Sequence, residues 1–293
     1  MSRRRHRVAA LVAALVAALV GVIAAPPTVQ SAPASAADGV ATVNSTRITF
    51  DRFAEAVEGV GAVDFAEGER ARVVLGDLIV NVVLRDFLTA NGVEPARSAS
   101  AVTARDFGVD AAIREAYQAQ LAGITAPAVE PSPEQYDEDP TAYGVVCLRL
   151  LLVADEDAAN DALDAIRGGA AEDVEAVFDD AGGSADVQCL SLTELGELAP
   201  TVLISVADAA SGQVLGPLPA GNGFQVIEVP SFDEVSTTLQ EYLDDPPPSA
   251  AGAPTSTAQL LFDGRLFDAD VTVNPRYGRW DRVTATVVPL GQG

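Results

Sequence analysis

The sequence predicts an α+β fold in which helices pack on a small antiparallel sheet, and residues 145–229 carry the three observations behind this prediction. Residues 145–153 (Val-Val-Cys-Leu-Arg-Leu-Leu-Leu-Val) are almost continuously apolar, which is typical of a strand buried on both faces. An acidic helix start, Asp-Glu-Asp, follows at once, and its apolar stripe of helical period stops at a Gly-Gly pair. A second apolar run at 224–229 predicts the closing strand. Strands and helices in this order favour an α+β module with an antiparallel sheet.

Between these strands the sequence predicts further short elements. A second helix places Val174, Val177 and Phe178 on one side, and a glycine-rich turn follows it. A strand that carries a cysteine is predicted near residues 187–190, and a helix near residues 200–210.

The segment before this module is predicted to be helical from residue 49 to about residue 125. Thr49 is a suitable N-cap for a first helix, and a helix at 109–121 is predicted later in the segment. The helix between them, at 66–90, has apolar residues on more than one side. We therefore expect it to be packed against several partners.

Prolines interrupt an acidic run without periodicity at residues 126–144, which we interpret as a linker. After the module, helices are predicted at 233–243 and 257–267, separated by a segment rich in proline, alanine and glycine that favours a mobile loop. A short strand is predicted at 271–273.

Residues 1–36 have the pattern of a secretion signal. Four arginines precede an apolar stretch at 8–25, and Ala34-Ser-Ala36 offers small residues for cleavage. The expected location is therefore secreted or extracytoplasmic, in the cell envelope. The apolar stretch is also about as long as a minimal membrane span, so an uncleaved anchor, and with it a membrane partner, is the alternative.

The remainder of the chain is strongly acidic. After residue 36 there are 14 arginines against 42 acidic residues, a formal charge of −28. Nucleic acid is excluded as a partner because phosphate binding needs clustered cations. No metal site or cofactor is expected, since the chain's one histidine is His6 and no glycine-rich phosphate loop is present.

The order of these features resembles the parvulin (PpiC-type) peptidyl-prolyl isomerase domain over about 85 residues. The resemblance rests on the first strand ending in Leu-Leu-Val, the helix ending in Gly-Gly, the Gly-Gln-Val-Leu-Gly-Pro run at 212–217 and the Gly-Phe-Gln-Val-Ile-Glu-Val run at 223–229. It implies a parvulin-like domain at residues 145–230.

The flanking segments resemble SurA-like chaperones of the secreted actinobacterial type. The resemblance rests on Val-Ala-Thr-Val-Asn at 40–44 followed by Arg-Ile-Thr, and on Val-Asn-Pro-Arg-Tyr-Gly-Arg-Trp at 273–280. It implies that residues 37–125 and 231–293 together form a mainly helical chaperone module. We therefore expect residues 40–44 and 271–274 to be neighbouring strands.

The positions that the parvulin resemblance makes catalytic are altered. The family's two histidines correspond to Leu150 and Gln225, and a family acid corresponds loosely to Asp179 or Asp180. The family's Gly-Gly-Asp-Leu-Gly turn is replaced by Ser-Ala-Asp-Val-Gln at 184–188. Gln225 retains a hydrogen-bonding group, whereas Leu150 does not. Apolar binding residues are expected to be Phe178 and Phe224, with Gln225 beside them; ordinary core packing is the alternative for both aromatics.

The two cysteines, Cys147 and Cys189, lie in two predicted strands. Since an exported protein with only two cysteines usually pairs them, we expect a disulfide.

These observations favour an exported chaperone or holdase whose parvulin-like domain has lost catalysis, with unfolded or exported polypeptides as clients. Its client site is expected to be an apolar cleft between the helical module and the parvulin-like unit. Two alternatives remain open. One is an active prolyl isomerase that uses Gln225 and an acid, and the other is an envelope scaffold that binds one partner.

Overall fold

The computed structural model describes residues 39–60, 67–97, 108–124, 129–167, 176–178, 186–221, 223–248 and 255–291. Outside these residues lie the predicted signal segment, Val174 of the predicted second helix, Asp179, Asp180 and residues 249–254 of the predicted loop. Within the described ranges, no helix combines the length and hydropathy that crossing a membrane requires.

The described residues combine helices with small antiparallel sheets, as an α+β fold does. The helices are α1 Phe50–Gly59, α2 Glu67–Ala90, α3 Val109–Ala122, α4 Pro133–Glu138, α5 Glu156–Arg167, α6 Leu192–Leu198, α7 Pro200–Val206, α8 Phe232–Asp244 and α9 Thr257–Phe267. The strands are β1 Ala41–Val43, β2 Thr46–Ile48, β3 Val145–Val153, β4 Gln188–Ser191, β5 Val214–Ala220, β6 Gly223–Glu228, β7 Val271–Val273, β8 Arg279–Asp281 and β9 Thr286–Val288.

The largest sheet has the strand order β4-β3-β6-β5, and every neighbouring pair is antiparallel. The predicted antiparallel sheet is thus confirmed, with β3 at the bounds expected from its apolar run. Burial on both faces is confirmed for residues 145–149. It is wrong for the end of the strand, where the Leu152 side chain is 65% exposed because none of the described elements packs over it.

The second sheet joins the two ends of the described chain. In the order β2-β1-β7, Ala41 pairs with Val273 and Val43 with Val271, which confirms the predicted neighbours. Thr49 caps α1 by accepting a hydrogen bond from the backbone N–H of Arg52, as its position before the helix predicted.

Helix α2 lies in the core of this part of the fold. Its buried residues pack in one hydrophobic cluster with residues of α1, α3, α9, β1 and β7, so the expectation of several partners is confirmed. The β9 strand of the small β8–β9 hairpin packs against the same helix.

Residues within the predicted linker are ordered. Helix α4 begins at Pro133 after the N-cap Ser132, and Tyr136 on it is completely buried. The Tyr136 hydroxyl donates to the backbone carbonyl of Pro230, and Tyr143 packs in the same cluster with Val235 of α8. Periodicity did not show this helix because it is only six residues long.

Helix α9 packs against the start of β3 so closely that the two backbones are in contact. A Cβ on Gly264 would lie 2.7 Å from the backbone nitrogen of Gly144 and 2.8 Å from the carbonyl oxygen of Ala142. A Cβ on Gly144, whose φ is +73°, would lie 1.7 Å from the carbonyl oxygen of Leu260. Both positions therefore require glycine.

We expect Gly264→Ala to lower the free energy of unfolding by about 1–3 kcal/mol, because the new methyl group meets backbone atoms that a rotamer change cannot move. Gly76→Ala in α2 is the matched control, since its Cβ would have only an ordinary contact at 3.9 Å. The control should gain up to about 1 kcal/mol from helix propensity. Urea unfolding of both variants measures the difference, and equal effects would contradict the packing described.

Candidate functional site

The two positions that the parvulin resemblance gives to histidines lie on neighbouring strands and on one face of the sheet. Leu150 on β3 pairs with Ile227 of β6, and Gln225 of β6 pairs with Leu152 of β3. Directly opposite residues share a face, as do residues two apart along a strand. On β5, Leu215 and Leu218 join the same face, opposite Ile227 and Gln225. We call this set the Gln225 surface; its members are Leu150, Leu152, Leu215, Leu218 and Gln225.

The Gln225 surface is apolar around a single amide. Leu152 is largely exposed, and the other four side chains are half-buried. Leu150 packs with Leu215 and Leu218 against the buried cluster beneath α6 and α7. The Gln225 amide has two donors and one acceptor, but no side chain of this set titrates near neutral pH. The surface suits contact with apolar chain segments and offers no group for proton transfer.

Two glycines make this arrangement possible. The β5–β6 register shifts between Leu215 and Leu218, and the shift contains Gly216, whose φ is +130°. A Cβ there would lie 2.9 Å from the carbonyl oxygen of Gln225, so a larger residue would push the strands apart at the centre of the surface. Gly223 likewise lets β6 approach Val153, whose carbonyl oxygen a Cβ would meet at 2.2 Å.

The two aromatic residues predicted to bind clients lie on the other face. Phe178 is completely buried, in a cluster with Leu151 and Val226, and Phe224 packs against that cluster. Leu151 and Val226 alternate with Leu152 and Gln225 along their strands and so point away from the Gln225 surface. The structure therefore does not bring Phe178 and Phe224 together with Gln225. An apolar strand pattern identifies buried positions but does not tell which face is covered.

An ion cluster around a buried Arg149–Glu228 pair, which sequence reasoning missed, lies on the same face as the two aromatics. Arg149 Nη1 donates to Glu228 Oε2 at 2.8 Å and to Glu234 Oε1 at 2.9 Å. Burial acts to raise the pKa of Glu234, but hydrogen bonds from Ser231 and Arg149 outweigh it and lower the pKa. The cluster anchors the start of α8 to β3 and β6. The signal for it was the lone arginine inside the apolar run of β3.

Cys147 and Cys189 are directly opposite each other on β3 and β4 and are joined by a disulfide. Cys147 is completely buried beside Tyr143 and Leu260. The bond fastens the edge strand β4 to the central strand β3. Within the residues that the structure describes, no group of three or more His, Cys, Asp or Glu side chains is placed to hold a metal ion.

A cleft of about 590 Å³ lies where a client site was expected, between the α4–β3 segment, the α7–β5 segment and the end of α9. Its lining is mostly polar and charged, so the expectation of an apolar lining is wrong for this cleft. The charged residues are Glu138, Asp139, Asp208, Arg265, Asp268 and Arg282.

A smaller cleft of about 290 Å³, which we call the Asp263 cleft, opens between α6, α9 and the turn that joins β8 to β9. Its walls include Leu192, Leu203, Leu266, Phe267 and Val283. Arg282 borders both clefts. Its guanidinium lies 5.0 Å from the ring centre of Phe267 and forms an ion pair with Asp208 at 3.0 Å.

The carboxyl group of Asp263 is held in this cleft by two donors. Gln259 Nε2 donates to Oδ1 at 2.7 Å, and Thr193 Oγ1 donates to Oδ2 at 3.2 Å. Burial raises the pKa of Asp263 to about 6, although both hydrogen bonds act to lower it. No sequence motif marks this residue, because its partners come from α6 and from the preceding turn of α9.

No family model matches the chain, and no curated protein matches it. Among solved structures, the chain is similar to PrsA from Bacillus subtilis, with 17% sequence identity over 67% of this chain and 80% of that chain. The TM-score of this match is 0.26, so we draw neither fold nor function from it.

We expect Asp263→Asn to stabilise the protein at neutral pH. The pKa of Asp263 is about 6 in the folded state, above the ordinary value of 3.8. Between these two pH values the folded chain therefore binds more protons than the unfolded chain. The stability of the wild type consequently falls as pH rises through this range. The variant lacks this loss and should gain on the order of 2 kcal/mol at pH 7.5, but only about 0.5 kcal/mol near pH 4. Urea unfolding across this range measures it, with the exposed Asp164→Asn as control; a gain independent of pH would contradict the burial argument.

Proposed function

We propose that the protein is an exported folding factor that holds unfolded polypeptide segments on the Gln225 surface and does not catalyse prolyl isomerisation. The observation that carries this proposal is the environment of Leu150. The position that the parvulin resemblance gives to a catalytic histidine is a half-buried leucine that packs with Leu215 and Leu218.

Client binding is supported by the chemistry of the surface. Leu152 presents most of its side chain to solvent beside three half-buried leucines, and apolar contact of this kind is non-directional and accepts many sequences. Such exposure normally favours self-association. The formal charge of −28 after residue 36 opposes it, because like-charged molecules repel one another.

Loss of catalysis is supported by the residues at the family's catalytic positions. The barrier to rotation about the peptide bond is about 20 kcal/mol, and the parvulin resemblance implies that a cluster of polar side chains around the amide lowers it. Gln225 is the one polar side chain among the five of the surface. It also favours the second candidate, an active isomerase, because its amide lies at the centre of the surface where it can donate to a substrate carbonyl.

The domain organisation proposed here assigns residues 37–125 and 231–293 to a SurA-like module and residues 145–230 to a parvulin-like domain. The antiparallel pairing of β1 with β7, and a hydrophobic cluster that contains both α2 and α9, support the first assignment. Export is supported by the signal-like pattern of residues 1–36 and by the disulfide.

We expect Leu152→Asp to reduce the ability of residues 37–293 to slow aggregation of an unrelated unfolded protein by at least threefold, because a charge on the surface repels apolar segments. Leu290→Asp is the matched control, since Leu290 is 59% exposed and lies on none of the strands of this sheet. Light scattering with two unrelated unfolded clients measures the effect. Equal activity of both variants and the wild type would contradict client binding at this surface.

A further inference from the structure

We propose that the Asp263 cleft binds a lysine or arginine side chain of a client polypeptide. The inference rests on the proposed function, because it takes the occupant from an unfolded client. It adds a second contact site, distinct from the Gln225 surface and selective for a charged residue type.

The shape of the cleft suits one long side chain. Its volume of about 290 Å³ lies at the lower end of the range for ligand sites. A cleft of this volume is too small for a compact domain but large enough for one side chain. Leu203, Leu266 and Val283 offer apolar walls for an aliphatic stem, and lysine and arginine bury such stems while the charged head finds a polar partner. Gly196 lines the cleft as well, and a Cβ there would lie 3.5 Å from Val283 Cγ1.

The charge of the lining selects a cation. Among the described residues of the lining, the acids are Asp263 on α9 and Glu197 on α6, and the cation is Arg282 on the turn. Arg282 is ion-paired with Asp208 outside this cleft and lies over Phe267. An ionised carboxylate accepts about four hydrogen bonds, and Gln259 and Thr193 supply two to Asp263. The remaining capacity, in a partly buried setting, suits an ammonium or guanidinium group.

The same geometry predicts a pH dependence of binding. Because burial raises the pKa of Asp263 to about 6, the carboxylate is fully ionised only above that pH, and affinity for a cation should rise as pH increases from 5 to 7.5. Thr193→Val removes a hydrogen bond that lowers this pKa and should move the midpoint of the affinity profile to higher pH. Glu197 and Arg282 are the other charged groups that face the cleft in the described part of the chain.

The experiment titrates residues 37–293, labelled with ¹⁵N, with the capped peptide Ala-Ala-Lys-Ala-Ala at pH 7.5. The matched probe replaces lysine with norleucine, which keeps the stem and removes the charge. The protein variants are Asp263→Asn and Thr193→Val, with Asp164→Asn as the control for an exposed acid.

The inference predicts saturable shifts of the Thr193, Gly196 and Asp263 amides with the lysine peptide, at an affinity at least tenfold above that for norleucine. Asp263→Asn should remove this selectivity, Thr193→Val should shift only its pH midpoint upward, and Asp164→Asn should change neither. Equal binding of the two peptides, or full selectivity in Asp263→Asn, would overturn the inference even if Leu152→Asp weakens client holding. Lysine selectivity that depends on Asp263 would support it even if Leu152→Asp has no effect.

Discussion

The contact between Gly144 and Gly264 is the constraint on which the described fold depends most. It places α9 against the start of β3 at a distance that side chains would not allow. From there, one helix contributes to three hydrophobic clusters. Phe262 packs with α2, Leu260 packs with Tyr136 and Tyr143, and Phe267 packs beneath α6 and α7. A helix shared in this way couples the two segments that the sequence resemblances treat separately.

The two sets of alternate residues along the central strand β3 differ in what covers them. One set of alternate residues forms the core with α5 and holds the Arg149 ion cluster, in which Arg149 and Glu228 are both buried. The other set packs beneath α6 and α7. Toward the end of the strand its side chains become less buried, with Leu150 half-buried and Leu152 largely exposed. The exposed end of this second set is where we propose that a client binds, because contact there leaves the core undisturbed.

Much of the fold was predictable because the decisive patterns are local. The apolar run of β3, the helical periods of α3, α8 and α9, and the turn residues around them identified these elements to within about two residues. Strand β5 was not predicted as a strand, because it contains Gly216, Pro217 and Pro219, which normally argue against one. Its place in the sheet comes from pairing with β6.

The candidate site was only partly predictable. Alternation along β3 and β6 is enough to place Leu150 and Gln225 on one face once the antiparallel register is known. The exposure of Leu152, the buried position of Phe178 and the Asp263 cleft depend on which helices cover which face, and that is decided by tertiary packing. Asp263 in particular gains its properties from residues that lie 4 and 70 positions away in the chain.

The central claim is that the sheet face around Gln225 binds chains without catalysing isomerisation. The most direct measurement is the cis–trans exchange rate of a proline-containing tetrapeptide, by NMR exchange spectroscopy, with residues 37–293 present at increasing concentration. We expect an exchange rate equal to the uncatalysed one, whose time constant is roughly 10–100 s at 25 °C. A concentration-dependent acceleration that Gln225→Ala abolishes, and that the exposed control Gln118→Ala retains, would contradict it.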